Sequence, residues 1–223
     1  PPRSTLFPYT TLFRSTIFHL GGSSSHLVST NAIAEQMETK PSSVTDMAKK
    51  LAEKGLVEYT KYQGVSLSKT GLKTALSIVR KHRLWEVFLV ETLDFSWDEV
   101  HEVAEQLEHI KSEKLIDRID SLLGYPKFDP HGDPIPSKDG VFFEREQQLL
   151  SEMKPGSTGV CVGVKDTSSN FLKFLDKNKI ALGDTIEIVE IEDFDQSLTI
   201  TINGQNMSIS HQIANNLYVK KQE

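Results

Sequence analysis

The apolar residues of this chain change period along its length, and that change restricts the fold to a mixed one. Through Leu123 they recur mostly every three or four residues, the spacing of one helix face. Beyond about Lys154 they alternate, in GSTGVCVGV (156–164), DTIEIVEIE (184–192), SLTITI (197–202) and NMSIS (206–210), as half-buried strands do. Asn203–Gly204 is a hairpin turn between the last two. NFLKFLDKN (170–178) reads as a short helix among the strands. The expected class is α+β, with helices first and a small curled β-barrel last. GYPKFDPHGDPIPSKDG (124–140), with four prolines, joins the two parts as a linker or meandering loop.

Within the helical part, Ser29 and Thr30 can cap a helix carrying Ile33, Ala34 and Met37. A turn at Thr39–Lys40 leads to Pro41, suited to a helix's first turn, and a second helix runs to Lys54, where Gly55 stops it. LVEYT (56–60), KYQG (61–64) and VSLS (65–68) form a short hairpin. Two short helices, a tight turn and a hairpin make a winged helix-turn-helix, whose second helix enters the DNA major groove. The outward residues of that helix are Ser42, Ser43, Thr45, Asp46, Lys49 and Lys50, and Lys61 and Tyr62 stand at the hairpin turn. Short hydroxyls reach base edges and phosphates, while lysines supply attraction that ignores sequence.

Charge supports this division. The net charge is −6, but residues 16–85 hold 10 Lys/Arg against 5 Asp/Glu, and residues 86–223 hold 13 against 26. A basic module therefore precedes an acidic one. The single cysteine, Cys161, excludes an internal disulfide framework and most cysteine-based zinc sites, and suits a reducing cytoplasm. No apolar run reaches the ~20 residues of a membrane span; the best, LWEVFLVETL (84–93), carries two glutamates. TLFPYTTLFRS (5–15) resembles a translated sequencing adapter, so residues 1–15 are read as an artefact and the native chain as resuming near Thr16.

Long helices are expected over 69–93, 97–109 and 113–123, the first apolar on several sides over 84–93, as in a dimer interface. WDEVHEVAEQLEHI (97–110) carries the chemistry. It holds Asp98, Glu99, Glu102, Glu105 and Glu108 with His101 and His109, and residues 84–110 contain no Lys or Arg. On one helix His101, Glu105, Glu108 and His109 form a stripe, where like charges repel by about 0.2–0.5 kcal/mol per pair. His82 and Glu86 make a second i, i+4 pair. Imidazole and carboxylate from two helices suit an ion of intermediate hardness, Mn²⁺ or Fe²⁺. His131, between Asp129 and Asp133, is assigned to turn chemistry; His19, His26 and His211 have no ligand-like company.

NAIAEQMETKPSSVTDMAKKLAEKGLVEY, RKHRLWEVFL, VHEVAEQLEHI and HGDPIP, in this order, resemble the metal-dependent repressors of the diphtheria toxin repressor and manganese transport regulator family. The resemblance runs from Thr16 to the end and includes a C-terminal module similar to a FeoA-like barrel. It implies that Glu105, Glu108 and His109 are metal ligands, with His82, Glu86 and His101 at a neighbouring or ancillary site. Asp166 is the nearest match to a further carboxylate that the barrel offers in long members. The iron-sensing branch has cysteine where this chain has Glu105, so a harder site is implied here, favouring manganese. The family's first-helix ligand would fall near Leu12 and Ser15, neither a good donor.

The implied organisation is an artefact at 1–15, a DNA-binding domain at 16–70, a metal-binding and dimerisation domain at 71–123, a linker at 124–153 and the barrel at 154–223. The implied protein is a cytoplasmic homodimer that binds a palindromic operator and represses metal-uptake genes, with no enzymatic role. Two other readings stay open on residues alone: a metal-independent winged-helix regulator whose barrel binds a peptide or small molecule, and a carboxylate/His metallohydrolase.

Overall fold

The computed structural model describes residues 6–22 and 26–222. They divide into two compact units, and the division falls inside one helix. The first unit holds residues up to His82 with 107–112 and 136–141; the second holds 83–106, 113–135 and 142 onward.

The first unit begins with α1 (Leu6–Gly21), α2 (Thr30–Gln36) and α3 (Pro41–Glu53). α1 reaches into the segment set aside as an artefact, and Pro8 lies in its first turn, where proline is tolerated. Phe13 and Ile17 from α1 are buried against Ile33, Val44, Ala48 and Leu51. Ser29 caps α2 as expected, its side chain accepting from the Ala32 N–H, and Pro41 opens α3. Strands β1 (Val57–Thr60) and β2 (Gly64–Leu67) pair antiparallel, with Val57 opposite Leu67 and Thr60 opposite Gly64. Val28 adds a bridge to Val65, which ties the hairpin back to the segment before α2. The winged helix-turn-helix is thus complete. α4 (Lys69–Leu93) then crosses from the first unit into the second as one helix.

The second unit carries the end of α4, α5 (Val100–Leu107) and α6 (Glu113–Leu122). α5 is shorter than the expected 97–109: it starts after an irregular turn and stops at Leu107, leaving Glu108 and His109 in the turn that follows. Leu84, Trp85, Val87 and Leu89 are buried within the chain itself, so much of the apolar stretch assigned to a dimer interface serves the chain's own core.

A short β3 (Gln148–Leu149) and one 3₁₀ turn lead into β4 (Thr158–Val164), α7 (Ser169–Lys177), β5 (Thr185–Ile191), β6 (Leu198–Ile202), β7 (Gln205–Ile209), α8 (His211–Ala214) and β8 (Leu217–Lys221). The strands form one antiparallel sheet in the order β3-β8-β4-β5-β6-β7. Among the described residues no pairing joins β7 to β3, so the sheet is open where sequence suggested a closed barrel. Asn203 and Gly204 both take positive φ, 51° and 74°, as the two-residue hairpin turn requires. Alternate residues of β5 and β6 (Ile186, Ile188, Leu198, Ile200 and Ile202) face a core that also takes Leu172 and Leu175 from α7 and Cys161 from β4. The pairing of β4 with β8 shifts by one residue between Cys161 and Gly163, a bulge at Val162.

Candidate metal centre

Two histidine–carboxylate groupings emerge, one in each unit. In the first, His82 Nδ1 lies 2.8 Å from Glu108 Oε2, and both side chains are largely withdrawn from solvent. Glu108 reaches this place because α5 ends at Leu107 and the following turn redirects the chain. Glu105 and His109, expected beside Glu108 on one helical stripe, are both exposed; helix termination, not a shared face, decides which residue turns inward.

The second grouping is more deeply buried. Glu86, one turn after His82 on α4, is 2% exposed, Asp129 6% and His131 3%. One ligand atom from each of these three lies within 4.8 Å of the others, close enough to share an ion. Glu86 Oε1 is 3.4 Å from His101 Nδ1, and its Oε2 is 3.9 Å from His131 Nδ1, so the carboxylate stands between two imidazoles. Burial of a carboxylate costs several kcal/mol unless a counter-charge is present. Arg83 supplies one, with Nε 3.4 Å from Asp129 and Nη2 3.0 Å from Asp133. Burial pushes the Asp129 carboxyl well above the ordinary range, Glu86 and Asp133 push it further, and Arg83 only partly offsets them. Two buried carboxylates and an imidazole gathered this closely suit a divalent cation of intermediate hardness.

The loop that brings Asp129 and His131 here is built on turn chemistry after all. Asp129 Oδ1 accepts from the backbone N–H groups of His131 and Asp133, both at 2.9 Å. Arg83 Nη1 donates to the Pro134 carbonyl, and Arg145 Nη2 donates to the Gly132 carbonyl at 2.8 Å while lying over the Phe128 ring. Gly132 has φ +89°, and a Cβ there would stand 2.2 Å from the Val162 carbonyl oxygen, so glycine is required. The bulge at Val162 is what meets it. The Val164 N–H then donates to the His131 carbonyl at 2.9 Å, fixing the loop to the end of β4.

His131, assigned to the turn, thus also stands beside Glu86 and Asp129. The signal was present in sequence: a histidine two residues after one aspartate and two before another. Asp166 follows β4 by two residues and is half-buried; its Oδ1 accepts from the Ser168 N–H at 2.8 Å, and it does not belong to the Glu86–Asp129–His131 group. Leu12 is exposed, and the Ser15 hydroxyl donates to the Leu12 carbonyl, so neither offers a ligand.

Of the residues expected at DNA, Ser42, Ser43, Lys49 and Lys50 are exposed on α3. Thr45 is half-buried, and its hydroxyl donates to the Pro41 carbonyl at 3.0 Å, leaving it only acceptor capacity. Tyr62, 92% exposed with φ +65°, sits at the hairpin tip with Lys61 Nζ 4.7 Å from its ring centre.

Residues 14–65 match the family described as iron dependent repressor, N-terminal DNA binding domain; residues 68–137 match iron dependent repressor, metal binding and dimerisation domain; residues 148–221 match the FeoA domain. The iron-dependent repressor IdeR of Mycobacterium leprae (strain TN) is 26% identical over 201 residues, covering 85% of this chain and 87% of its own. A probable metal transport system membrane protein of Chlamydia trachomatis is 43% identical over 88 residues, and this chain spans only 19% of its length. The solved structure of a manganese-dependent transcriptional repressor in complex with manganese superposes with a TM-score of 0.86 at 33% identity, covering 96% of this chain and 100% of the other.

Proposed function

This chain belongs to the iron-dependent repressor family of metal-activated, DNA-binding transcriptional repressors, and we propose that its Mn²⁺ or Fe²⁺ is held by the histidines and carboxylates of α4, α5 and the loop at 129–131. The observation that carries this reading is the buried Glu86–Asp129–His131 group, in which one ligand atom of each residue lies within 4.8 Å of the others. His101 joins it through Glu86, and His82 with Glu108 forms the second donor pair. Glu105 and His109 are further, exposed donors, and Asp166, two residues after β4, is a further carboxylate. The ion supplies positive charge and fixed coordination. The protein's part is to keep these donors few, oriented and largely dry.

DNA is met by α3 and the β1–β2 hairpin. Ser42, Ser43 and Thr45 face base edges, while Lys49, Lys50, Lys61 and Tyr62 face the backbone. Two copies related by a two-fold axis would set two α3 helices against successive half-sites of a palindromic operator. Exposed Leu93, Leu115 and Leu122 supply apolar surface for that second copy. The division of labour is a DNA-binding domain over 16–70, a metal-binding and dimerising domain over 71–123, and a C-terminal module that we take as a FeoA-like barrel in open-sheet form. We read the protein as a non-enzyme of the cytoplasm that controls metal-uptake genes; no described helix is long and apolar enough to cross a membrane.

The test is operator binding measured by fluorescence anisotropy against free Mn²⁺, Fe²⁺ and Zn²⁺. Tight binding should require Mn²⁺ or Fe²⁺. Binding of equal strength in excess chelator would favour the metal-independent regulator instead.

A further inference from the structure

The turn between α4 and α5 does more than connect them. Its residues Trp97 and Asp98 lie along one stripe of α7, because Ser169, Lys173 and Asp176 follow one another at i, i+4 and i+7. The Trp97 indole N–H donates to both oxygens of Asp176, at 3.0 and 3.1 Å. Asp98 Oδ2 accepts from the Ser169 hydroxyl at 3.1 Å and lies 3.3 Å from Lys173 Nζ. The Trp97 ring also packs against the core of the C-terminal sheet.

The same residue meets His131 from the other side. The Trp97 carbonyl lies 2.9 Å from His131 Nε2, and the two rings are parallel within 8°, with centres 6.2 Å apart. A carbonyl oxygen can only accept, so His131 Nε2 carries the hydrogen. In the neutral ring the lone pair is then on Nδ1, the nitrogen that faces Glu86. Backbone carbonyls orient metal-binding imidazoles in this way, fixing both tautomer and ring plane. Were the carbonyl displaced, Nδ1 could take the proton and the ring would present no lone pair to the Glu86–Asp129 pocket.

We propose that Trp97 is a positioning residue for His131, and that through its hydrogen bond to Asp176 it makes the docking of α7 and the affinity of the His131 ion one linked equilibrium. This rests on the reading of His131 as a metal ligand. Anything that holds α7 against the α4–α5 turn strengthens ion binding, and the ion in turn strengthens that docking by the same factor.

The experiment uses the full chain and Mn²⁺ alone, with His131→Gln identifying which ion belongs to this pocket. Trp97→Phe keeps an aromatic ring and the backbone carbonyl but removes the N–H. Asp176→Asn keeps the size of an exposed side chain and weakens the acceptor. Each should lower the affinity of the ion that H131Q loses by about tenfold, the low end for an outer-shell partner. The W97F/D176N double variant should be little worse than either single one, since both break one bond. Mn²⁺ should raise Tm less in these variants than in wild type. Lower metal-free Tm with unchanged Mn²⁺ affinity would mean that Trp97 only packs, and would overturn the proposal while leaving His131 as a ligand. Wild-type Mn²⁺ binding by H131Q would remove His131 from the site and this inference with it.

Discussion

Glu108 and His82 meet at 2.8 Å because α5 ends one residue before Glu108. The pair joins the turn after α5 to α4, and with metal absent the imidazole Nδ1–H is the natural donor to the carboxylate. A metal ion would compete for the same oxygen and nitrogen.

Glu108→Gln should therefore weaken Mn²⁺ binding by about tenfold or more and abolish metal-dependent operator binding, without unfolding the chain. His109→Ala should act in the same direction. Calorimetric Mn²⁺ titration with circular dichroism checks both. Metal-stimulated operator binding retained in both variants would show that this turn is only an acidic surface.

Glu105 is exposed, and as a proposed donor it would set how hard the metal's shell is. Glu105→Cys should move preference from Mn²⁺ towards Fe²⁺ and Zn²⁺, because thiolate is a softer ligand than carboxylate. Competition between Mn²⁺ and Zn²⁺, read by the metal needed for half-maximal operator binding, gives the answer. An unchanged ratio would take Glu105 out of the metal shell.

On α3, Lys49 and Lys50 should act through phosphate. Replacing both with Ala should weaken binding to every DNA sequence and reduce the slope of log K against log[salt] by about 2. Ser42→Ala should instead change the ranking of operators. If the double lysine variant keeps the wild-type salt slope, α3 does not face the DNA backbone.

Asp98 offers a pH test. Burial raises its carboxyl, but hydrogen bonds from Ser96, Lys173 and Ser169 outweigh this and hold it below the ordinary range. A depressed folded value stabilises the fold above the unfolded pKa, about 3.9, and that contribution is lost as pH falls through the folded value. Lys173 is exposed, so the contribution is about 1 kcal/mol or less, roughly 2–4 °C in Tm at most. Thermal melts of D98N and wild type should differ at pH 7 and converge below about pH 4. A gap at pH 3 as large as that at pH 7 would assign the effect to packing.

The elements with strong period or turn signals are legible in the sequence: Ser29 as a cap, Pro41 opening α3, the β1–β2 hairpin and the Asn203–Gly204 turn all stand where patterning puts them. What failed to show was what depends on distance along the chain. β8 (Leu217–Lys221) lies between β3 and β4, a pairing no local pattern reveals. The end of α5 at Leu107 broke the expected stripe, since periodicity describes a helix but not where it stops. Asp129 and His131 were legible as turn residues only. Their approach to Glu86, some forty residues earlier, depends on the tertiary fold and on the glycine at 132 that lets the loop touch β4.

Cys161 lies in the middle of the C-terminal sheet's core at 1% exposure, and burial pushes its thiol up to about 11. It is also the chain's one sulfhydryl. A thiol-specific alkylating reagent can reach it only when β4 parts from its neighbours, so the rate of covalent labelling under native conditions counts openings of that sheet. Nature has thus left a clock in the C-terminal half of the molecule that needs no engineering: the modification rate, followed by mass spectrometry with and without Mn²⁺, times how often that half comes apart while the DNA-binding half is unmarked.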